Sequence, residues 1–582
     1  MKVSGIQSVW LLLALKVAAA PATSDNGPTK LPIVDLGYVW RQPRSQKETE
    51  RTYNFSNIRY AQAPVGDLRF RAPVPLKGHS KHLNTGSVGS ICPQPASLFS
   101  NPALVQWISA YIQGTMLDYD QLEEEYANRS SPASSSDPRV TEDCLFLDVV
   151  VPKKIFDRRG TGSGAPVLVW IHGGGYVVGE KTGFGRYNPA GMIRASRDAE
   201  DDGFIFVAIN YRLGSFGFLA GSTLQKDGTP NAGLLDQRAA LDWVKKNIHL
   251  FGGSSHRVTV MGESAGGGSI LNQLTAYGGS KGPVPFQRII TQSAGIQPAA
   301  SAESLELSLQ TLFAAVNVST MEELRAVPLT TLNAANTLLT STQRLGFFGP
   351  AVDGTFVPEP LSALLARGDF DQSVTALIGM NSHEGILFSD PTVGSSAAYS
   401  AYIRNMIPGI SNASASHIEE VLYPEVFDGS YGYTSQFERG LITFQELFFT
   451  CNSPILSWGL QNRTDNYVFA VPPGVHAQDV PYTFYNGPET RVGGITPPPT
   501  TSAEISIAGI LQSWIATFVT RGTPRADGVR SFRPYGSDAN VLVMGVNATS
   551  NAPDISRGID AAFVPGRCAW LSQAITENTF LE

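Results

Sequence analysis

An α/β fold, with a large and mostly parallel central sheet covered by helices, is what this sequence predicts, and three observations predict it. Strand-like apolar runs recur along the chain, helical spacings lie between them, and several runs break directly into glycine. Strands that alternate with helices pair in parallel, because each helix carries the chain back to the same end of the sheet. With 582 residues, 42% hydrophobic and only 16% charged, the chain can bury a large core and does not have the composition of a disordered one.

The elements follow in order. Residues 1–22 combine Lys2, an apolar run from Val9 to Leu15 and small residues from Ala18 to Ala22, the pattern of a secretory leader. That run is about half the ~20 residues a bilayer span needs, Lys16 interrupts it, and no later segment reads as long enough to span. A secreted, extracellular chain is expected, with residues 23–582 as one domain and no stable membrane insertion. Removing Lys2 and Lys16 takes the formal charge from −7 to −9. No block of Lys or Arg offers a footprint for a phosphate backbone, so nucleic acid is not an expected partner.

Between Ser97 and Arg139 an amphipathic stretch places Leu104, Trp107, Ile108, Tyr111 and Ile112 on one helical face, and an acidic, Ser-rich tail ends in SSPASSSDP. This region, about residues 93–143, reads as a cover inserted over the sheet's end, and Trp107 as a candidate substrate-binding residue. PVLVWI is the next strand run and opens into HGGG at His172 to Gly175, and FIFVAIN follows. LLDQRAALDWVKKNIHLFGG then repeats apolar residues at Leu235, Ala239, Leu241, Trp243, Val244 and Ile248, a helix closed by Gly252 and Gly253. RVTVM, RIITQ, VTALIG and NYVFAV continue the strands. TPPPT at Thr496 to Thr500 reads as a surface connection before the helical ILQSWIATFV.

The chemistry is concentrated at the ends of these runs. GESAG, Gly262 to Gly266, lies between RVTVM and a small-residue stretch that can open a helix, the context of a nucleophile elbow at Ser264. A serine hydroxyl attacks an ester slowly unless a base takes its proton and donors meet the developing oxyanion. For the donors, Gly174, Gly175 and Ala265 offer backbone N–H groups unobstructed by side chains; His172 reads as structural. For the base, His383, His417 and His476 lie beyond Ser264. His417 sits in what looks like an exposed helix start, and His383 directly precedes the acid candidate and is poorly placed to face it. His476, in a Gly- and Pro-marked loop after a strand run, is the candidate. Glu384, in NSHEG just beyond VTALIG, is the acid that would orient it, with Asp353 and Asp479 as rivals whose plain reading is a turn residue.

Four cysteines, Cys92, Cys144, Cys451 and Cys568, are an even count in a secreted chain, so two disulfides are expected among three connectivities. No CxxC spacing points to a metal, and no cofactor is expected. N-x-S/T sequons at Asn54, Asn128, Asn317, Asn412, Asn462 and Asn547 are candidate glycosylation sites in the same compartment.

Taken together, these motifs resemble the type-B carboxylesterase family, which includes the cholinesterases and the large fungal lipases. NIRYAQAPVGDLRFRAP is similar to its amino-terminal signature, EDCLFLDVVVP to its second, and NAGLLDQRAALDWVKKNIHLFGG with GESAGG to its active-serine signature. GPAVDGTFVPEP, NSHEG, GVHAQDVPY and WIATFVTRGTP follow like the family's remaining landmarks, in order. The resemblance covers nearly all of the mature chain. It implies an α/β-hydrolase fold, the triad Ser264, Glu384 and His476, hydrolysis of small-molecule esters, and disulfides Cys92–Cys144, closing the cover, and Cys451–Cys568. The cover exceeds the cholinesterase pattern and is more like that of the lipase-like members. Alternatives are a dedicated esterase or acyl transferase for a secreted natural product, and a non-catalytic adhesion module like those cholinesterase relatives that have lost the serine. The intact serine, acid and histidine speak against the last.

Overall fold

Runs of Val, Ile and Phe too apolar for a half-exposed strand become the centre of the sheet: every residue of the IFVAI run is buried. The computed structural model describes residues 31–47, 51–86, 89–95, 101–127, 137–198, 202–297, 300–342, 347–488, 498–547, 549–560 and 566–581. Residues 1–22, read above as a leader, Asn128, most of the Ser-rich tail, Thr496 and Pro497 lie outside them.

In chain order the strands are β1 (Val34–Asp35), β2 (Val39–Arg41), β3 (Ser45–Lys47), β4 (Thr52–Arg59), β5 (Ser80–Asn84), β6 (Phe146–Pro152), β7 (Ala165–Ile171), β8 (Ile205–Ile209), β9 (Gly253–Glu263), β10 (Arg288–Gln292), β11 (Thr375–Asn381), β12 (Asp465–Phe469), β13 (Asn540–Val546) and β14 (Pro553–Ile559). Three form a small sheet, β1-β2-β5, and the other eleven one large sheet in the order β14-β13-β12-β11-β10-β9-β7-β8-β6-β4-β3. From β8 to β13 every neighbouring pair is parallel, and the antiparallel pairs lie outside that block. The mostly parallel sheet is therefore present as expected.

Helices cover both faces. The main ones used below are α1 (Pro102–Ile112), α2 (Tyr119–Ala127), α3 (Ala232–Asn247), α4 (Ala265–Leu274), α5 (Gln436–Gln445), α6 (Ser502–Arg521) and α7 (Arg567–Thr576). Alternation along β7 divides the core: Val167, Val169 and Ile171 join one cluster with Leu241 and Val244 of α3, while Leu168 and Trp170 join another with Leu511, Trp514 and Ile515 of α6. Contrary to the expectation that no later segment could span a bilayer, α6 is long and apolar enough to do so. Its buried residues pack on the sheet, so its apolarity serves the core.

Both disulfides form with the implied pairing, Cys92 to Cys144 and Cys451 to Cys568. The second ties α7 to the helical segment that leads into Asn452–Gly459.

Candidate active site

The site lies where the strand order turns. β7 has β8 on one side and β9, reached through α3, on the other, so the loops that leave the carboxyl ends of β7 and β9 diverge around one crevice. Ile171 is in register with Gly262, which brings His172 to Gly175 beside Ser264.

Ser264 caps the start of α4 with φ 56° and ψ −123°, a strained conformation for a residue with a side chain. The turn is possible because its neighbours are glycine: a Cβ on Gly266 would stand 2.1 Å from Ile171 O. Ser264 N–H donates to Gln292 O, and its carbonyl accepts from Gly268 and Gly295 N–H, so the elbow is fixed from both sides. Gly174, at φ 106°, packs so tightly that a Cβ would meet Val178 O at 2.1 Å, while Gly173 lies against Ser264 Cβ. The backbone N–H groups of Gly174 and Gly175 make no backbone hydrogen bond among the described residues, and that of Ala265 is one of the first-turn N–H groups for which α4 supplies no acceptor. His172 is structural, as expected. It is buried, stacks on Tyr211 at 4.4 Å and has Nδ1 2.9 Å from Gly173 O; burial pushes its pKa down to about 4.

His476 and Glu384 come together from separate loops. His476 Nδ1 lies 2.6 Å from Glu384 Oε2, and Glu384 Oε1 accepts the Asn381 N–H at 2.6 Å. Glu384 is fully buried. His383 N–H donates to Gly474 O, which ties the acid's turn to the histidine's loop, and Gln478 Oε1 accepts the N–H groups of Gly474 and Val475. His383 is thus a loop-tying residue. His417 departs from expectation: it ends a short helix, Asn412–His417, and stacks on Trp570 at 4.4 Å, because α7 packs against that turn. Asp353 is the turn residue expected, accepting from Thr355 and Val357 N–H.

Sequence reasoning missed the Glu263 carboxylate beside this pair and weighed Asp479 only as a rival acid or a turn residue. Glu263, inside the GESAG motif itself, places Oε1 3.3 Å from His476 Nε2. Burial pushes its pKa up and the charge of His476 pulls it down, so Glu263 and His476 titrate as one coupled pair. Asp479 is not a surface turn residue but fully buried, accepting from Gln292 Nε2 at 2.7 Å and Asn381 Nδ2 at 3.3 Å, with its pKa raised by burial to about 6. Burial alone would lower the pKa of His476; the charges of Glu263 and Glu384 outweigh it and raise the value. His476 Nε2 has no hydrogen-bond partner among the described residues. Phe388 and Phe449 pack against its ring at 5.0 and 4.5 Å.

The carboxylesterase family model matches residues 40–562. The chain belongs to the carboxylesterase family. Carboxylesterase patB of Penicillium expansum is 38% identical over 542 residues, 90% of this chain and 94% of its own length. Secreted lipase 1 of Botryotinia fuckeliana is 31% identical over 421 residues, 68% of this chain and 69% of its own. The solved structure of Aspergillus niger EstA aligns with a TM-score of 0.74 at 25% identity, covering 94% of this chain and 99% of that one. The fold is that of the α/β-hydrolase esterases, and the protein is a carboxylic ester hydrolase.

The segment read as a cover packs beside the Glu384 and His476 pair. α1 packs Ala103, Trp107 and Ile108 on Ile386 and Leu387, just past Glu384, and on Val475, just before His476. Trp107 is 3% exposed, donates Nε1–H to Leu117 O and meets Phe437 of α5 edge-on at 4.9 Å. In this conformation the Trp107 ring is enclosed by protein.

Proposed function

We propose that this carboxylesterase is a secreted serine enzyme that hydrolyses small-molecule carboxylic esters through an acyl intermediate on Ser264. Ser264 Oγ attacks the ester carbonyl as its proton passes to His476 Nε2. Glu384 accepts the Nδ1–H, which fixes the tautomer and stabilises the imidazolium. Gly174, Gly175 and Ala265 N–H groups receive the oxyanion. The ester C–O bond then breaks, the alcohol leaves with the proton from His476, and water repeats the sequence on the acyl-serine to release the acid.

The observation that carries this reading is the 2.6 Å contact from His476 Nδ1 to Glu384, with Nε2 unpartnered on the side of Glu263, the residue before Ser264. Secretion is supported by the leader pattern of residues 1–22 and by relatives named secreted lipases. Residues 23–582 then form one catalytic domain that needs no cofactor. Trp107 reaches substrate only when α1 swings off Val475 and Ile386, so it governs entry of larger acyl groups.

An organophosphonate tests the nucleophile. One adduct per chain, on the tryptic peptide that contains Ser264 and absent from Ser264→Ala, is expected; labelling that persists on another residue of the variant overturns the assignment.

A further inference from the structure

A second polar site lies on the edge of the sheet away from Ser264. Asn54, Phe55 and Ser56 form a sequon inside β4. Tyr53 and Phe55 join the core, so alternation turns Asn54 and Ser56 to the opposite face. There, with Arg44, Arg139, Asp148 and Lys181, they line a cavity of about 280 Å³. That is room for far more water than bridging an internal polar pair requires.

Three features describe what the cavity would accept. Asn54 Oδ1 accepts from Ser56 Oγ at 2.9 Å, which orients the amide, and Nδ2, the atom to which an N-linked sugar is joined, makes no hydrogen bond among the described residues. Asn57, 5% exposed and also lining the cavity, donates Nδ2–H to Gly86 O, while its Oδ1 is buried with no partner among the described residues. Lys181, 4% exposed, pairs with Asp148 at 3.1 Å, and Glu180 adds a second carboxylate to the wall. Charges of both signs around one cavity disfavour a simple ion and suit a neutral group rich in hydroxyls. An N-acetylhexosamine provides hydroxyl and acetamide donors for Asn57 Oδ1, and oxygen acceptors for the guanidinium groups of Arg44 and Arg139.

We propose that Asn54 carries an N-linked glycan whose first N-acetylglucosamine ring sits in this cavity. Transfer occurs on the unfolded chain as it enters the secretory path, so the strand position of Asn54 does not prevent it; the inference rests on the reading of residues 1–22 as a leader. The sugar then becomes part of the wall beside β4, whereas glycans at the exposed Asn317, Asn412 and Asn547 would stand free in solvent.

The test uses the full chain secreted from a eukaryotic host. Peptide mapping should find a glycan at Asn54. Peptide N-glycosidase acting on the folded protein should strip Asn547 and leave Asn54 glycosylated, and should strip Asn54 as well once the protein is denatured. Asn54→Gln should lower Tm more than Asn547→Gln, while Ser56→Thr, which preserves the sequon, should retain the glycan. An unmodified Asn54 in the secreted protein overturns the proposal whatever the other sequons carry. Release of the Asn54 glycan from folded protein as fast as that of Asn547 overturns the seating of the sugar.

Discussion

The elbow at Ser264 and the cover helix α1 bury their central side chains almost equally, Ser264 at 9% exposure and Trp107 at 3%, yet they are held in different ways. The elbow is held by backbone: close approaches at Gly266 and Gly173 leave no room for a Cβ, and hydrogen bonds from Gly268 and Gly295 hold the Ser264 carbonyl. α1 is held by side chains, through ring and aliphatic contacts with residues from α5 and the loops carrying Glu384 and His476. A backbone constraint needs particular residues at particular offsets and therefore shows as a motif. A packing constraint accepts any apolar residue of the right shape, so its partners cannot be read locally.

Changes at the backbone-held pole should abolish chemistry while sparing the fold. Glu384→Gln keeps the acceptor for Asn381 N–H but removes the charge beside His476, and kcat should fall by about 10⁴ with Tm nearly unchanged. A fall of less than tenfold would place the orienting acid elsewhere.

At the packing-held cover the expected effect falls on stability. Trp107→Ala removes a ring enclosed by Tyr111 and Phe437 and should destabilise by about 3–5 kcal/mol in denaturant unfolding. The kcat/KM ratio between long and short acyl esters should then report how far α1 must open. A changed ratio with unchanged stability would make α1 a loose lid and break the comparison.

Opening the ring that bounds the cover is the next largest effect. Cys92→Ser with Cys144→Ser opens a loop whose ends are 52 residues apart and should reduce stability by about 4 kcal/mol on the chain-entropy account. Differential scanning of the variant and parent checks it, and an unchanged Tm would mean that packing of α1 alone fixes the cover.

The smallest effect is electrostatic. Glu263 raises the pKa of His476, and His476 must be neutral to take a proton, so Glu263→Gln lowers that pKa and should move the acid limb of the kcat/KM profile to lower pH. A limb that stays or moves to higher pH contradicts the role given to the Glu263 charge.

The same contrast explains what could be read from the sequence. The strands β7 to β12 and their parallel pairing were legible because buried strands are continuous Val, Ile and Leu runs, and the Ser264 turn because glycine has few substitutes there; β13 was not read as a strand. Glu384 and His476 were singled out as candidates by chain order and loop context, and the structure brings their side chains together. Glu263 was in plain view inside GESAG, but a carboxylate in a motif's variable position carries no local signal of its partner 213 residues on. Asp479 is buried because Gln292 and Asn381 reach it from other strands, and no spacing near residue 479 records that. The helix α6 was misjudged for membrane length because core burial and bilayer burial demand the same residues.

The central claim is that Ser264 and His476 act as one unit, and a double-mutant cycle on kcat tests it most directly. Ser264→Ala, His476→Ala and the double variant, each verified as folded, should all lose activity to the same residual level, by about 10⁴ to 10⁶, because either change alone disables the unit. Losses that multiply in the double variant would show two independent contributions and contradict the account.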